Sequence, residues 1–401
     1  MRPFTSVISF DEAVRIVMSA AVPIERTDIV SISDADGRVL ARDAVAPDDV
    51  PAFDRAAMDG YAVVAADTNG AAAATPRSLT CVGRLFTGEI PTRGVGHGEC
   101  VEIATGAPMP PGADAVVIVE ETTRVETQVI IRRGVTAGQN IGRRGADVRR
   151  GSTVVPSGRL LGPSQIGALA ATGAARVDVF AKPRVAVLST GNEVIEPGRG
   201  LGTGQVHDVN RFTVSAVVAR HGGIPVPGTA IGDTVPALES ALDRALAHDV
   251  VILSGGSSVG DRDLILDVLG ARGEVLFHGV AVKPGKPTGF ARVGHTPVFA
   301  LPGYPASCLS NALILVAPFL RRVARLPPSE PRTVALPLSR RIVSAPGRHQ
   351  FYTVRVVDGQ AVPAFKSSGD ITSMANADGY IEIPSEVNAV EEGTMVKVAL
   401  F

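Results

Sequence analysis

Between residues 182 and 326 short apolar runs alternate with segments of helical character, and this order restricts the fold more than any other feature of the chain. Residues 185–188 read as a continuous apolar strand, Asn210 as the cap of a helix that ends at Gly222-Gly223, and residues 224–231 as extended chain. Thr234 with Pro236 opens a second helix. Residues 250–253 then read as strand, 264–269 as helix and 275–282 as strand. Such alternation implies a parallel sheet covered on both faces, which is why its strands are apolar throughout. Ligands of these sheets bind beyond the carboxyl ends of the strands.

The strand ends are where this region keeps its polar residues. The first strand runs into Ser189-Thr190-Gly191-Asn192-Glu193, the next into Gly232-Asp233-Thr234, and a third into Ser254-Gly255-Gly256-Ser257-Ser258 followed by Asp261 and Asp263. The strand over 275–282 is expected to deliver Lys283-Pro284-Gly285-Lys286-Pro287, with a second rigid turn at Leu301-Pro302-Gly303. Two ammonium groups fixed in one stiff loop repel each other unless an anion sits between them. Pro284 and Pro287 push Lys283 and Lys286 toward extended geometry, and Gly285 allows the backbone to turn and to approach a ligand. An ordinary tight turn with solvated lysines uses the same residues. The Gly-Gly-Ser-Ser turn can aim N–H groups at a phosphate. Glu193, Asp233 and Asp263 are hard oxygen ligands of the kind Mg²⁺ takes when it bridges carboxylates to phosphates, and each also suits helix capping or solvation.

Around this region the texture differs. Ser9, with Glu12 three residues on, caps a short helix whose apolar positions are Phe10, Ala13, Val14 and Val17. Residues 46–144 carry short β-like runs at 61–64, 115–119 and 129–131 between Gly and Pro clusters, and residues 71–74 read as a loop. After Pro327-Pro328, strands are expected at 334–338, 351–357, 380–383 and 394–400. The expected fold class is therefore multidomain α/β plus β. It has a central parallel α/β sheet domain at 182–326, a mostly-β second domain at 46–144, a small linker region built from 1–45 with 145–181, and a small C-terminal β-barrel-like domain at 327–401. Asp59, in a Gly turn leading into a strand, serves turn chemistry or catalysis; Arg143-Arg144 serves a phosphate clamp or a solvated face.

Composition removes several function classes. A formal net charge of −1 provides no global field for nucleic acid or an anionic membrane. The three cysteines, Cys81, Cys100 and Cys308, are odd in number and far apart in sequence, against a disulfide framework or a zinc knuckle, and read as small buried hydrophobes. The seven histidines lack ligand spacing. With no apolar leader core and no run of about 18 apolar residues, the expected compartment is the cytoplasm.

These segments, taken in order, resemble the MoeA-type molybdopterin molybdenumtransferases, the family that includes the gephyrin E domain. The resemblance runs through Gly37-Arg38-Val39-Leu40-Ala41, Met58-Asp59-Gly60-Tyr61, Thr105-Gly106-Ala107-Pro108, Gly112-Ala113-Asp114-Ala115-Val116-Val117 and Gly138-Gln139-Asn140-Ile141. It continues through Ser189–Glu193, Ser254-Gly255-Gly256, the lysine loop and Leu301-Pro302-Gly303. It implies a sheet domain of the molybdopterin-binding type. The implied activity transfers molybdenum from molybdate into adenylylated molybdopterin, with Mg²⁺-dependent cleavage of the adenylate and release of AMP.

On this resemblance Lys283 and Lys286, with Ser307 and the frame Pro284, Gly285, Pro302 and Gly303, hold molybdate, assisted by Arg348 and Ser368. Glu193, Asp233 and Asp263 are the implied Mg²⁺ ligands; Thr190, Gly191, Asp208, Ser254, Gly255, Gly256 and Ser257 line the pterin and phosphate pocket. An elongated homodimer is implied, in which Asp59, Thr105 and Asp147 complete the partner's cleft. Implied protein partners are a molybdopterin adenylyltransferase and apo-molybdoenzymes. The chain departs from the family pattern at Ala56, Gly279, Tyr304 and within residues 142–147. A gephyrin-like scaffold without transferase activity and a tungstate-selective homologue are the alternatives. The retained Asp59, Asp233, Asp263, Lys283 and Lys286 speak against a pure scaffold.

Overall fold

The computed structural model describes residues 7–255 and 264–401. Helix α1 (Phe10–Ser19) begins where the sequence places it: Ser9 Oγ accepts from the Glu12 N–H at 3.2 Å, and Ala13 and Val17, four apart on one face, are buried. The chain forms two compact units, a smaller one of Ile29–Val179 and a larger one that joins Phe180–Phe401 to the N-terminal stretch ending at Asp28.

The smaller unit holds a six-stranded sheet of β1 (Gly60–Val63), β2 (Arg77–Leu85), β3 (Glu99–Ile103), β4 (Ala115–Ile118), β5 (Thr122–Val125) and β6 (Gln128–Ile131), in the order β4-β1-β3-β2-β6-β5. Every pairing is antiparallel except β2 with β3. Alternation along the strands sends Tyr61, Val63, Cys100 and Val117 to one core and Ala62, Val101, Ile103 and Val116 to another. Residues 71–75 form a loop closed by reciprocal Ala72–Thr75 backbone bonds. Helix α2 (Pro163–Ala171) packs Leu169 against Leu40, Leu161 and Val179.

In the larger unit β7 (Arg184–Ser189), α3 (Asn210–Arg220), β8 (Ile224–Pro227), α4 (Val235–Ala245), β9 (Val250–Ser254) and α5 (Leu264–Arg272) alternate as expected. Thr234 caps α4, its hydroxyl accepting from Ala237 N–H at 3.4 Å. Helix α3 is capped differently from expectation. Asn210 is its first residue, and Asp208 Oδ1 takes the Arg211 N–H at 3.0 Å. Both Asn and Asp favour this role, but only the carboxylate lies one turn upstream.

The expected strand over 275–282 is in fact two. β10 (Glu274–His278) stays in the sheet and stops at Gly279, whose φ of 98° excludes L side chains and turns the chain away. β11 (Val282–Lys283) pairs instead with the C-terminal sheet. Val280 and Val282 are fully buried there, which is why their apolar character reads as a continuing strand. β12 (Gly289–Val293) and β13 (Thr296–Leu301) make an antiparallel hairpin, so the sheet order is β8-β7-β9-β13-β12-β10, with β8, β7, β9 and β13 parallel.

Helix α6 (Pro305–Asn311), a π-helical stretch Ala312–Val316 and α7 (Ala317–Val323) form one run. It is apolar and long enough to cross a membrane by composition, yet 67% of its most apolar window is buried in this core, where Leu315, Phe319 and Leu320 meet Phe290 and Phe299. β14 (Thr333–Pro337), β15 (His349–Val357), β16 (Gln360–Pro363), β17 (Gly379–Ile383) and β18 (Met395–Leu400) build the last sheet, ordered β11-β15-β17-β18-β14 with β16 on β15.

One buried side chain fixes the lysine loop to this framework. Asn311, 0% exposed at the end of α6, donates from Nδ2 to Pro284 O at 3.2 Å and to Ser307 O at 2.8 Å. Gly285 has φ 104°, and a Cβ there would lie 1.7 Å from that same Nδ2. Asn311→Ala should cost about 1–3 kcal/mol, the penalty of an abandoned buried acceptor, and Gly285→Ala should cost more. Urea unfolding checks both; an unchanged midpoint in either variant would contradict this anchoring.

Candidate active site

Register brings the parallel strands to a common rim. Ser189 on β7 is opposite Ser254 on β9, and Ser254 is opposite Leu301 on β13, so Thr190, Gly255 and Pro302 begin the loops side by side. Thr190 N–H donates to Ser254 O at 2.8 Å, Gly255 N–H to Leu301 O at 3.2 Å and Gly191 N–H to Ile231 O at 3.0 Å. Asn210 Nδ2 reaches Gly303 O at 2.8 Å, tying the start of α3 to the Pro302-Gly303 turn.

Beneath the rim lies a buried polar layer. Ser189 Oγ donates to Asp208 Oδ1 at 2.8 Å and is 3.3 Å from Ser254 Oγ. Arg211 sets its Nε 3.4 Å from Asp208 Oδ2, donates to Gly228 O at 3.0 Å and pairs with Glu196. Asp208, expected from the resemblance to line the pocket, is 4% exposed in this buried layer. Thr190 Oγ1 and Asn210 Oδ1 are buried with no hydrogen-bond partner among the described residues.

Glu193 and Asp233 stand exposed on two loops that clasp each other. Asn192 N–H donates to Asp233 Oδ2 at 3.2 Å, and Asp233 N–H donates to Asn192 Oδ1 at 3.1 Å. Two solvent-facing carboxylates fit the protein share of a Mg²⁺ shell that substrate phosphates and water complete. No cluster of three His, Cys, Asp or Glu forms among the described residues. Asp263, Gly256 and Ser257, named with them from the sequence, lie outside the described residues.

The lysine loop closes on itself through Val280 N–H to Lys286 O at 2.9 Å and Thr288 Oγ1 to Gly285 O at 2.8 Å. Lys283 Nζ lies 5.8 Å from the centre of the Phe365 ring, a cation–π distance. Ser307 is buried in the first turn of α6, and Ala306 N–H takes Ser368 O at 3.1 Å, which brings the Ser368 loop to that turn. Arg348 immediately precedes His349, the partner of Val282 in the β11–β15 pair. Lys283, Lys286, Ser307, Arg348 and Ser368 thus belong to adjoining segments. Tyr304, at the start of α6, is 68% exposed.

Asp59, Thr105 and Asp147 belong to the smaller unit. Asp59 Oδ1 accepts from Thr105 N–H at 2.7 Å and Thr105 Oγ1 at 2.9 Å, so the structure joins these two. Asp147 is exposed, and its N–H binds Val50 O at 3.0 Å. Arg143 pairs with Asp54 and Arg144 with Asp49, both at 2.6 Å, so the basic pair braces its own loop. Sequence reasoning assigned no role to Asn311, Arg211 or Asn192. Asn192 lay within the quoted strand-end motif, and Asn311 had a signal in its spacing of one helical turn from Ser307, which sets both on one face of α6.

Residues 8–173 match the family described as MoeA N-terminal region (domain I and II), residues 186–322 the "Probable molybdopterin binding domain" and residues 335–401 the MoeA C-terminal region (domain IV). Molybdopterin molybdenumtransferase 2 of Mycobacterium tuberculosis is 36% identical over 98% of both chains. Molybdopterin molybdenumtransferase of Haemophilus influenzae is 31% identical over 94% of both. A crystal structure of the MoeA molybdopterin biosynthesis protein from a Pyrococcus species superposes with a TM-score of 0.85 at 38% identity, covering 98% of this chain and 99% of that one. A parallel-sheet domain with a polar rim, joined to β-rich regions in this order, defines a multidomain protein of molybdenum cofactor biosynthesis. The chain belongs to the MoeA family.

The Thr105 donors, backbone N–H first and hydroxyl second, hold the Asp59 carboxyl below its usual range. A lowered folded-state pKa stabilises the fold above the unfolded carboxyl range, and that contribution disappears as pH falls through the folded value. Carboxyl-carbon NMR should place the Asp59 titration below 3.8, and Thr105→Val should move it upward. Coincident titrations would contradict a role for the hydroxyl.

Proposed function

We propose that this chain is a molybdopterin molybdenumtransferase that moves molybdenum from molybdate to the dithiolene of adenylylated molybdopterin and releases AMP. The observation that carries the reading is the meeting of cations and rim. The Lys283–Lys286 loop is locked to α6, and α6 begins directly after the Pro302-Gly303 turn of the parallel strand β13. Lys283 and Lys286, with Ser307, Arg348 and Ser368, supply positive charge and hydroxyl donors suited to a tetrahedral dianion. The Thr190 and Ser254 hydroxyls are the groups that would face the pterin phosphate, with Gly191 and Gly255 beside them carrying no side chain to block its approach and Gly256 and Ser257 continuing that loop in sequence.

Glu193 and Asp233, with Asp263 by the family resemblance, are the residues that would hold Mg²⁺, and the bound ion would supply charge neutralisation at the pyrophosphate. The chain's own contribution is orientation: the Asn192–Asp233 clasp fixes one carboxylate, and Asp208 with Arg211 braces the pocket floor. We also propose that the active form is a cytoplasmic homodimer in which Asp59, Thr105 and Asp147 of one subunit complete the other's cleft. A molybdopterin adenylyltransferase would deliver the substrate and apo-molybdoenzymes would take the product. The four-part domain division drawn from the sequence belongs to this proposal.

Purified protein given adenylylated molybdopterin, Mg²⁺ and molybdate should release AMP and reconstitute an apo-molybdoenzyme. No AMP under conditions that support a known transferase would overturn the enzyme reading in favour of a scaffold. Lys286→Ala should raise the molybdate concentration needed by roughly 10-fold or more, the scale of one charge-assisted contact, while pterin binding changes less. Equal loss of both would make Lys286 a pterin-phosphate contact.

A further inference from the structure

The smaller unit places two thiols where the sequence separates them. Cys81 on β2 is the direct register partner of Cys100 on β3, in the sheet's parallel pairing. Neighbouring strands lie about 4.8 Å apart, within the roughly 4.4–6.8 Å between Cα atoms that a disulfide spans. Both side chains face the same core, packing with Tyr61, Val63 and Leu79. Cys100 is 0% exposed, Cys81 is half-buried, and both are free thiols.

Two features go beyond the packing of small apolar groups. A β-bulge follows Cys81, and its Sγ donates to Gly83 O at 3.3 Å, so the ladder is already irregular beside this residue. Cys81 is also the more accessible thiol of the two, and susceptibility to oxidation follows exposure.

We propose that Cys81 and Cys100 form a reversible oxidation site, in which a peroxide oxidises Cys81 and Cys100 closes a cross-strand disulfide. In the first step the Cys81 sulfur attacks hydrogen peroxide and the O–O bond breaks. One oxygen stays as the sulfenic acid and the other leaves as water with the thiol proton. In the second step the Cys100 sulfur attacks the Cys81 sulfur; the S–S bond forms, the S–O bond breaks, and the hydroxide leaves as water with the Cys100 proton. Two thiols are oxidised and one peroxide is reduced to two waters. The order follows from burial, which pushes the Cys100 thiol up to about 12 and leaves the half-exposed Cys81 to meet the oxidant first. This inference does not depend on the transferase reading.

The test treats the full-length protein with hydrogen peroxide and maps its peptides without reduction. The expected product is a Cys81–Cys100 linked peptide pair lighter by two hydrogen atoms, reversed by dithiothreitol, with the fully buried Cys308 still a thiol. Cys81→Ser should abolish the link and leave Cys100 unmodified, and Cys100→Ala should trap Cys81 as a dimedone-reactive sulfenic acid. Unmodified thiols, Cys81 sulfinic acid without a link, or prior oxidation of Cys308 would each overturn the proposal. If Cys100→Ala does not fold, the wild-type map decides alone.

Discussion

Asn311 contributes one fully buried carboxamide, and its Nδ2 joins the carbonyl of Pro284 to that of Ser307. The lysine loop leaves the parallel sheet at Gly279, lends two residues to a different sheet and returns at Gly289. Without a fixed point between those ends, two like charges would move apart into solvent. The amide supplies that point, and Gly285 makes room for it by lacking a Cβ. The C-terminal sheet shares in the positioning, because β11 hydrogen-bonds to β15 and Lys283 rests over Phe365.

The floor of the rim follows the same logic with charge in place of an amide. Burying Asp208 is costly unless it is compensated: Oδ1 accepts from Ser189 and the Arg211 N–H, and the charge of Oδ2 is offset by the Arg211 guanidinium at 3.4 Å. Arg211 in turn reaches Glu196, just beyond Glu193, and Gly228 O, just before the Asp233 loop. One buried guanidinium therefore steadies both loops that carry the exposed carboxylates. Glu193 and Asp233 themselves stay exposed above this layer.

Local signals were legible in the sequence and distant ones were not. Ser9 and Thr234 cap the helices they precede because capping is settled within one turn. The strand starting near Val275 misread as continuous because Val282 is equally apolar in either sheet, and periodicity does not say which sheet buries it. Asp208 rather than Asn210 caps α3, a choice between two good capping residues that geometry decides. The Asn311–Pro284 bond and the Cys81–Cys100 pairing depend on partners that are not local in the chain, which no local pattern encodes. The motif residues at the strand ends were visible because the parallel-sheet rule places polar residues at one rim whatever the exact register.

The central claim is that this loop and the start of α6 hold a tetrahedral dianion. The most direct measurement is a crystal of the full-length protein soaked in tungstate, a heavy analogue of molybdate, with data collected at the tungsten edge. The account predicts an anomalous peak in contact with Lys283 or Lys286 and with Ser307. A peak bound elsewhere, with this place empty, would contradict it.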